Sequence, residues 1–241
     1  MPRFSVILPA AGSGTRFSGK TPPASFDEKK PFVGLAGKAV WLHSAERFAR
    51  RSDVVQMILV TAPKDRDAVA AAFAPEIARL GIEVAAGGAE RFLSVENGLA
   101  AVRSDADYIA IHDAARPCIS DALIDILFRT AAKSGAVIPA VPIVGTIKRS
   151  AERTPGVLSI EKTEPRDHLW EAQTPQVFRI DLYRNAVQNR GTGKPTDDAG
   201  LLEQIGHEVL IVPGERTNIK ITSPFDLKLA EIFLQLGDTA K

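Results

Sequence analysis

The chain has 241 residues, with 30 lysines and arginines against 29 aspartates and glutamates, a formal net charge of +1 and 45% hydrophobic residues. Near-neutrality excludes a nucleic-acid coat or an acidic interaction tail, so the electrostatics that matter are local. No run of about 18 apolar residues marks a membrane span.

The length suits one domain over 1–241, and no charged leader with a cleavable apolar core opens the chain. The single cysteine, Cys118, permits neither an internal disulfide nor a cysteine-rich metal site and reads as a small packed residue. These features suggest a cytoplasmic protein without a membrane or nucleic-acid partner.

In chain order, FSVILPA (4–10), VVQMILVTA (54–62), IEVAA (82–86), DYIAIH (107–112) and AVIPAV (136–141) are Val- and Ile-rich runs of strand length. They predict strands buried on both faces. Between them AVWLHSAERFARR, RDAVAAAFAPEIARLG, RFLSVENGLAAVR and DALIDILFRTAAKSG show helical spacing, and two of these end at glycine. The expected fold is α/β in three layers, a mostly parallel sheet with helices on both faces. Residues 145–173 break the rhythm with short polar–apolar alternation, which predicts an extended β arm. Such an arm packs on a partner chain or stands as a solvated hairpin.

Ligands of such sheets sit beyond the carboxyl ends of the strands. The first such segment, GSGTRFSGKT (12–21), matches the phosphate-loop pattern, but Thr21 is followed by Pro22 and Pro23, which disfavour the helix start that a phosphate loop needs. The dinucleotide fingerprint also fails, because Phe17 stands at its third glycine. There remains a strand leading into Ala10, Ala11, Gly12 and Gly14, small enough for backbone to close around a base and phosphate, with Arg16 bringing charge.

The later strand ends add GGAERFLS (87–94), with glycines before a helix start, and HDAARP (112–117). Asp113 closes a buried strand, where a carboxylate is costly unless it holds a cation or caps a turn. Farther on, Arg166, Thr174, the TDDAG run from Thr196, and NIKIT with Lys220 supply cations and hydroxyls suited to a phosphate monoester.

PAAGSGTR, GKAVWLHS, GGAERFLSV, HDAARPC, LWEAQTPQVF, TDDA and NIKIT, in this order over residues 4–235, resemble the 2-C-methyl-D-erythritol 4-phosphate cytidylyltransferases. The resemblance implies a Rossmann-like nucleotidyltransferase that joins CTP and methylerythritol phosphate with Mg²⁺ and releases pyrophosphate. It assigns Arg16 and Lys30 to the α-phosphate, Lys220 to positioning the reacting groups and Asp113 to magnesium. Backbone around Ala10, Ala11, Gly12, Gly14, Gly88, Ala89, Ser94 and Ala114 would bind the nucleotide. Arg116, Thr146, Arg166, Thr174 and Thr196 would surround the acceptor, with Arg166 also among the catalytic group. The arm carrying Thr146 and Arg166 would reach into the other subunit of a homodimer.

Two departures from the family pattern stand out. An insertion lengthens the path from Arg16, and the familiar P-K-Q becomes Lys29-Lys30-Pro31; spacing back from His43 favours Lys30, with Lys29 and Lys20 as alternatives. The inserted stretch, 17–29, reads as a mobile flap over the triphosphate. The second departure is Ala89, where many relatives carry an acidic residue. A cytidylyltransferase for another polyol phosphate such as ribitol 5-phosphate, a non-catalytic nucleotide-binding relative and an ATPase are the competing readings.

Overall fold

The computed structural model describes residues 1–12, 23–191 and 194–239, with backbone only at 237–239. Its centre is the predicted set of apolar strands: β1 (Phe4–Pro9), β4 (Val54–Thr61), β5 (Ile82–Ala86), β6 (Tyr108–Ile111) and β7 (Ala136–Pro142). Between the first two of these lie β2 (Gly34–Leu35) and β3 (Lys38–Ala39), a small hairpin that leads into helix α1 (Val40–Ala49).

Strand β1 pairs in parallel with β6 on one flank and β4 on the other, and β4 pairs in parallel with β5. Three short strands complete the sheet: β10 (Trp170–Ala172), β11 (Gln176–Arg179) and β12 (Leu210–Pro213). β11 runs antiparallel between β6 and β7. The registers put β10 and β11 on the same flank of β7, with Ala172 opposite Ala140 and Val177 opposite Val137. β12 takes the other flank in parallel, with Pro213 opposite Ala140.

Both faces of the sheet are covered, as continuous apolar strands require. On one face, alternate residues of β1 (Phe4, Val6, Leu8) meet Trp41 and Phe48 of α1 and Leu127 and Phe128 of α5 (Asp121–Ser134). On the other, Ile7, Ile58 and Val60 meet Val95 and Leu99 of α4 (Arg91–Ala100). Helices α6 (Ile180–Gln188) and α7 (Ala199–Gln204) continue that layer through Tyr183, Leu201 and Leu202. A Cβ on Gly98 would stand 2.8 Å from Ile7, so the glycine lets α4 settle close onto β1.

The stretch 66–81 is two helices, α2 (Arg66–Ala72) and α3 (Ala74–Leu80), where the periodicity suggested one. Pro75 lacks the N–H and crowds the preceding turn, so the helix breaks at Phe73 and restarts. The expected glycine stops are present: Gly81 (φ 63°) ends α3 and Gly135 (φ 84°) ends α5. Helix α8 (Pro224–Thr239) packs Ala230 against Leu35, Val40 and Cys118. Cys118 is buried, its thiol pushed up to about 12 by desolvation, consistent with a packing residue.

Within 145–173 the arm proper is a two-stranded hairpin, β8 (Ile147–Thr154) and β9 (Val157–Glu164), separate from the main sheet. Residues 170–172 at the end of that stretch are sheet strand β10, because their backbone finds partners on β7. Val157, Leu158 and Ile160 stand more than half exposed on the hairpin.

Candidate active site

The carboxyl ends of the parallel strands open into a cleft of about 750 Å³. One wall is backbone and small side chains: Ala10, Ala11 and Gly12 after β1, and Gly87, Gly88 and Ala89 after β5. These loops approach closely. A Cβ on Gly87 would lie 2.8 Å from the Ala11 Cβ and 2.7 Å from the Ser94 Oγ, closer than atoms tolerate. Ser94, in the first turn of α4, accepts a 3.1 Å hydrogen bond from the Gly88 amide.

The same cleft is also cationic. Lys30, Lys64 and Lys220 line it, together with Asp113 and with Arg91 at the start of α4. Asp113 follows β6 and is 7% exposed. The cation that such a burial demands is supplied twice by the chain: Lys220 Nζ lies 2.6 Å from Oδ2 and Arg91 Nε 3.1 Å from Oδ1. Desolvation alone would raise the Asp113 carboxyl, but Arg91 and Lys220 outweigh it and hold it well below the usual carboxylate range. Burial likewise disfavours the Arg91 charge, yet Asp198 and Asp113 hold that guanidinium above its usual value. Arg91 NH2 is 2.7 Å from Asp198 Oδ2, and Asp198, 1% exposed, accepts from the Tyr183 hydroxyl at 2.9 Å.

A buried relay fixes the 112–116 turn. The His112 Nε2 faces the Arg116 carbonyl at 3.0 Å, which only accepts, so Nε2 carries the proton. Nδ1 then accepts from the Thr174 hydroxyl at 3.3 Å, and Thr174 Oγ1 accepts from the Asp113 amide at 3.0 Å. Asn218 Nδ2 donates to the Thr174 carbonyl at 2.9 Å and Arg116 donates to the Asn218 carbonyl at 2.7 Å. Three loops from distant parts of the chain are thereby one unit, and Lys220 projects from the third.

Several expectations meet in this cleft: Ala10, Ala11, Gly12, Gly88, Ala89, Ser94, Lys30, Asp113 and Lys220 all line it. Arg16, Gly14 and Lys20 lie outside the described residues. Lys29, the alternative candidate, also lines the cleft, but it is buried and its ammonium is paired with Asp65. Ala114 is turned into the core, and its neighbour Ala115 lines the cleft instead, the two lying in a turn closed by the Arg116 amide on the Asp113 carbonyl at 2.9 Å.

Thr174 and Arg116 belong to the buried relay rather than the cleft lining, the Arg116 Nε without a hydrogen-bond partner among the described residues. Thr146, Arg166 and Thr196 are exposed and do not line this cleft, with Arg166 donating to the Val144 carbonyl. The flap expectation falls partly on residues outside the described set. Its described end is anchored: Phe26 packs edge-on against Phe32 at 5.6 Å and Lys29 is buried, so an apolar contact and an ion pair hold that end down.

Sequence reasoning passed over Arg91 and Asp198. Both were in view, Arg91 in GGAERFLS and Asp198 as the second acid of TDDAG, but nothing in either motif signals that they meet. A second depression of about 750 Å³ lies at the amino ends of the strands beside Met1, Asp107 and Arg179. It is at the opposite end of the sheet from where such folds bind ligands, and its Arg179 is already paired with Asp181 at 2.6 Å.

The relay has a pH signature. Burial lowers His112 from 6.5 to about 4. Between those values the unfolded chain binds a proton that the folded chain does not, so stability rises with pH across the window and is lost on acidification through it. This linkage is worth on the order of 3 kcal/mol, and His43, also lowered by burial, acts in the same direction. The urea midpoint should therefore fall between pH 7.5 and 5, and His112→Gln should start lower at pH 7.5 with a shallower pH slope. Parallel slopes in the two proteins would refute a buried neutral His112.

Comparison with known proteins bears on this site directly. The family description 2-C-methyl-D-erythritol 4-phosphate cytidylyltransferase matches residues 4–236. A protein of that name from Acidobacterium capsulatum is 41% identical over 239 residues, covering 97% of this chain and 98% of its own length. Another from Solibacter usitatus is 38% identical over 235 residues, covering 97% and 96%. Among solved structures, 4-diphosphocytidyl-2C-methyl-D-erythritol synthase from Anaerococcus prevotii superposes with a TM-score of 0.79 at 27% identity, covering 97% of this chain and 96% of that one. Matched nearly end to end in both sequence and fold, the chain belongs to the 2-C-methyl-D-erythritol 4-phosphate cytidylyltransferase family.

Proposed function

We propose that this chain joins CTP to 2-C-methyl-D-erythritol 4-phosphate, giving the cytidine diphosphate alcohol and pyrophosphate. The observation that carries the reading is a single cleft that combines small residues after β1 and β5 with a set of cations gathered around Asp113. The glycine loop after β1 then serves a nucleotidyltransferase, and its likeness to a phosphate loop is one of letters.

The chemistry asks little covalent work of the protein. An anionic phosphate oxygen of the acceptor attacks the α-phosphorus of CTP; one P–O bond forms, the bond to the β-phosphate oxygen breaks, and pyrophosphate leaves with its electron pair. The protein must hold two anions together and offset the charge that grows on the α-phosphate. Lys30 and Lys220 are placed for that on the cleft wall, and Arg16 joins them by its place in the family motif. The small residues at Ala10–Gly12 and Gly87–Ala89 would leave backbone groups accessible to read a flat pyrimidine.

Magnesium fits this donor set. A carboxylate has about four acceptor sites, of which Lys220 and Arg91 use two, and magnesium is commonly held by one or two carboxylates together with substrate phosphates. Asp113 would hold it, and the ion would supply charge neutralisation on the triphosphate.

The acceptor side involves Arg116, whose Nε has no hydrogen-bond partner among the described residues, and Thr174, which accepts from the Asp113 amide in the buried relay. Thr146 and Arg166 flank the hairpin and point to a site shared with a second copy, supported by the exposed Val157, Leu158 and Ile160. No described helix is long and apolar enough to cross a membrane, and a cytoplasmic setting is part of the same reading.

Four outcomes check it. Pyrophosphate release with Mg²⁺ should be confined to CTP with methylerythritol phosphate when CTP, UTP, ATP and GTP are each tested against that acceptor, ribitol 5-phosphate and none. Release only with ribitol phosphate would replace the acceptor, and CTP binding without release would leave a binding module. In the same assay Arg16→Ala should lower turnover about a hundredfold, and Asp113→Asn should raise the magnesium concentration needed for half-maximal rate. Sedimentation at micromolar concentration should show a dimer, and a monomer would remove the shared-site part.

A further inference from the structure

Lys29 stands directly before Lys30 and does something different. It is 4% exposed, and its ammonium is paired with the carboxylate of Asp65, itself buried. Asp65 sits at the N-cap position of α2, where an aspartate ordinarily bonds the first amides of the helix, yet its side chain makes no capping bond. The carboxylate is committed to Lys29 instead. That pairing ties the chain just after the insertion to the segment that follows the carboxyl end of β4, across 36 residues of sequence.

The backbone around Lys30 is held on both sides. The Lys29 carbonyl accepts from the Phe32 amide at 2.8 Å and the Val33 amide at 3.3 Å, closing a turn that contains Lys30. On the far side Pro31 restricts the φ/ψ of Lys30, and the Pro31 carbonyl accepts from the Trp41 amide at 2.9 Å. Beneath the turn Phe26, Phe32 and Phe73 form an aromatic cluster, with Trp41 edge-on to Phe73 at 5.5 Å. Removing Lys29 would leave the packing below the turn but take away its ion pair with the segment that follows β4.

We propose that Lys29 is a positioning residue for the transfer reaction: its buried pair with Asp65 sets the height and angle at which Lys30 enters the cleft. It is not a phosphate ligand, because its ammonium is already spent inside the protein. The inference rests on the reading of Lys30 as a cation acting on the α-phosphate. A chain that replaces a rigid P-K-Q with Lys29-Lys30-Pro31 has lost one proline restraint before the working lysine and holds that point with an ion pair.

The test is a double-mutant cycle on turnover, with CTP affinity measured separately by equilibrium titration. Lys29→Met should lower kcat tenfold or more, the scale of misplacing a catalytic group by a fraction of an ångström to an ångström, with the CTP Kd within about twofold of the parent. In a Lys30→Ala background the same substitution should change kcat by less than about twofold, because the group it positions is gone. Its effect on the thermal midpoint should be equal in both backgrounds, separating folding from positioning. Asp65→Asn breaks the charge pair from the other side and should give the same pattern, so it carries the test if Lys29→Met does not fold. Losses that multiply in full with Lys30→Ala, or parent-like turnover in Lys29→Met, would overturn the proposal. Parent-like turnover in Lys30→Ala would instead remove the role of Lys30 on which it rests.

Discussion

An ionised carboxylate at the end of a buried strand is the constraint around which this site is organised. Asp113 cannot stay charged at 7% exposure without nearby cations, and the chain brings two, from helix α4 and from the loop before α8. Arg91 in turn needs more than one carboxylate to offset its own burial, which draws in Asp198 and through it Tyr183 and α7. One desolvation cost thus ties together segments more than a hundred residues apart.

This arrangement gives the cleft its division of labour. The loops directly after β1 and β5 bring small residues, so backbone defines the cleft's shape there. The segment after β6 brings Asp113, positioned by ion pairs and by the His112–Thr174–Asn218 relay. Preorganisation of that kind suits a reaction in which the protein supplies no nucleophile and acts by holding anions in place. The buried pair of Lys29 and Asp65 extends the same strategy to the segment that carries Lys30.

Much of the architecture was legible because buried parallel strands and amphipathic helices leave periodic traces. The five long apolar runs became β1, β4, β5, β6 and β7, and the glycines after α3 and α5 stopped their helices as expected. The short strands β10, β11 and β12 left no such trace: Trp170–Ala172 and Leu210–Pro213 are too brief for a pattern, and only their partners on β7 make them strands. Pro75 did split a helix, but its consequence was overridden in the reading by the apolar spacing on either side.

For the site, the sequence by itself determined the chemical inventory and much of its place. Small residues after strands one and three, an acid after β6 and lysines at 30 and 220 all reach one cleft, since strand ends of a parallel sheet point the same way. Tertiary structure decided which charges meet. That Arg91 spans Asp113 and Asp198, that Lys29, although it lines the cleft beside Lys30, is paired with Asp65, and that Ala115 rather than Ala114 lines the cleft are outcomes of packing and burial. Composition and spacing record which groups exist; the balance between desolvation and pairing, which selects their partners, exists only once the chain is packed.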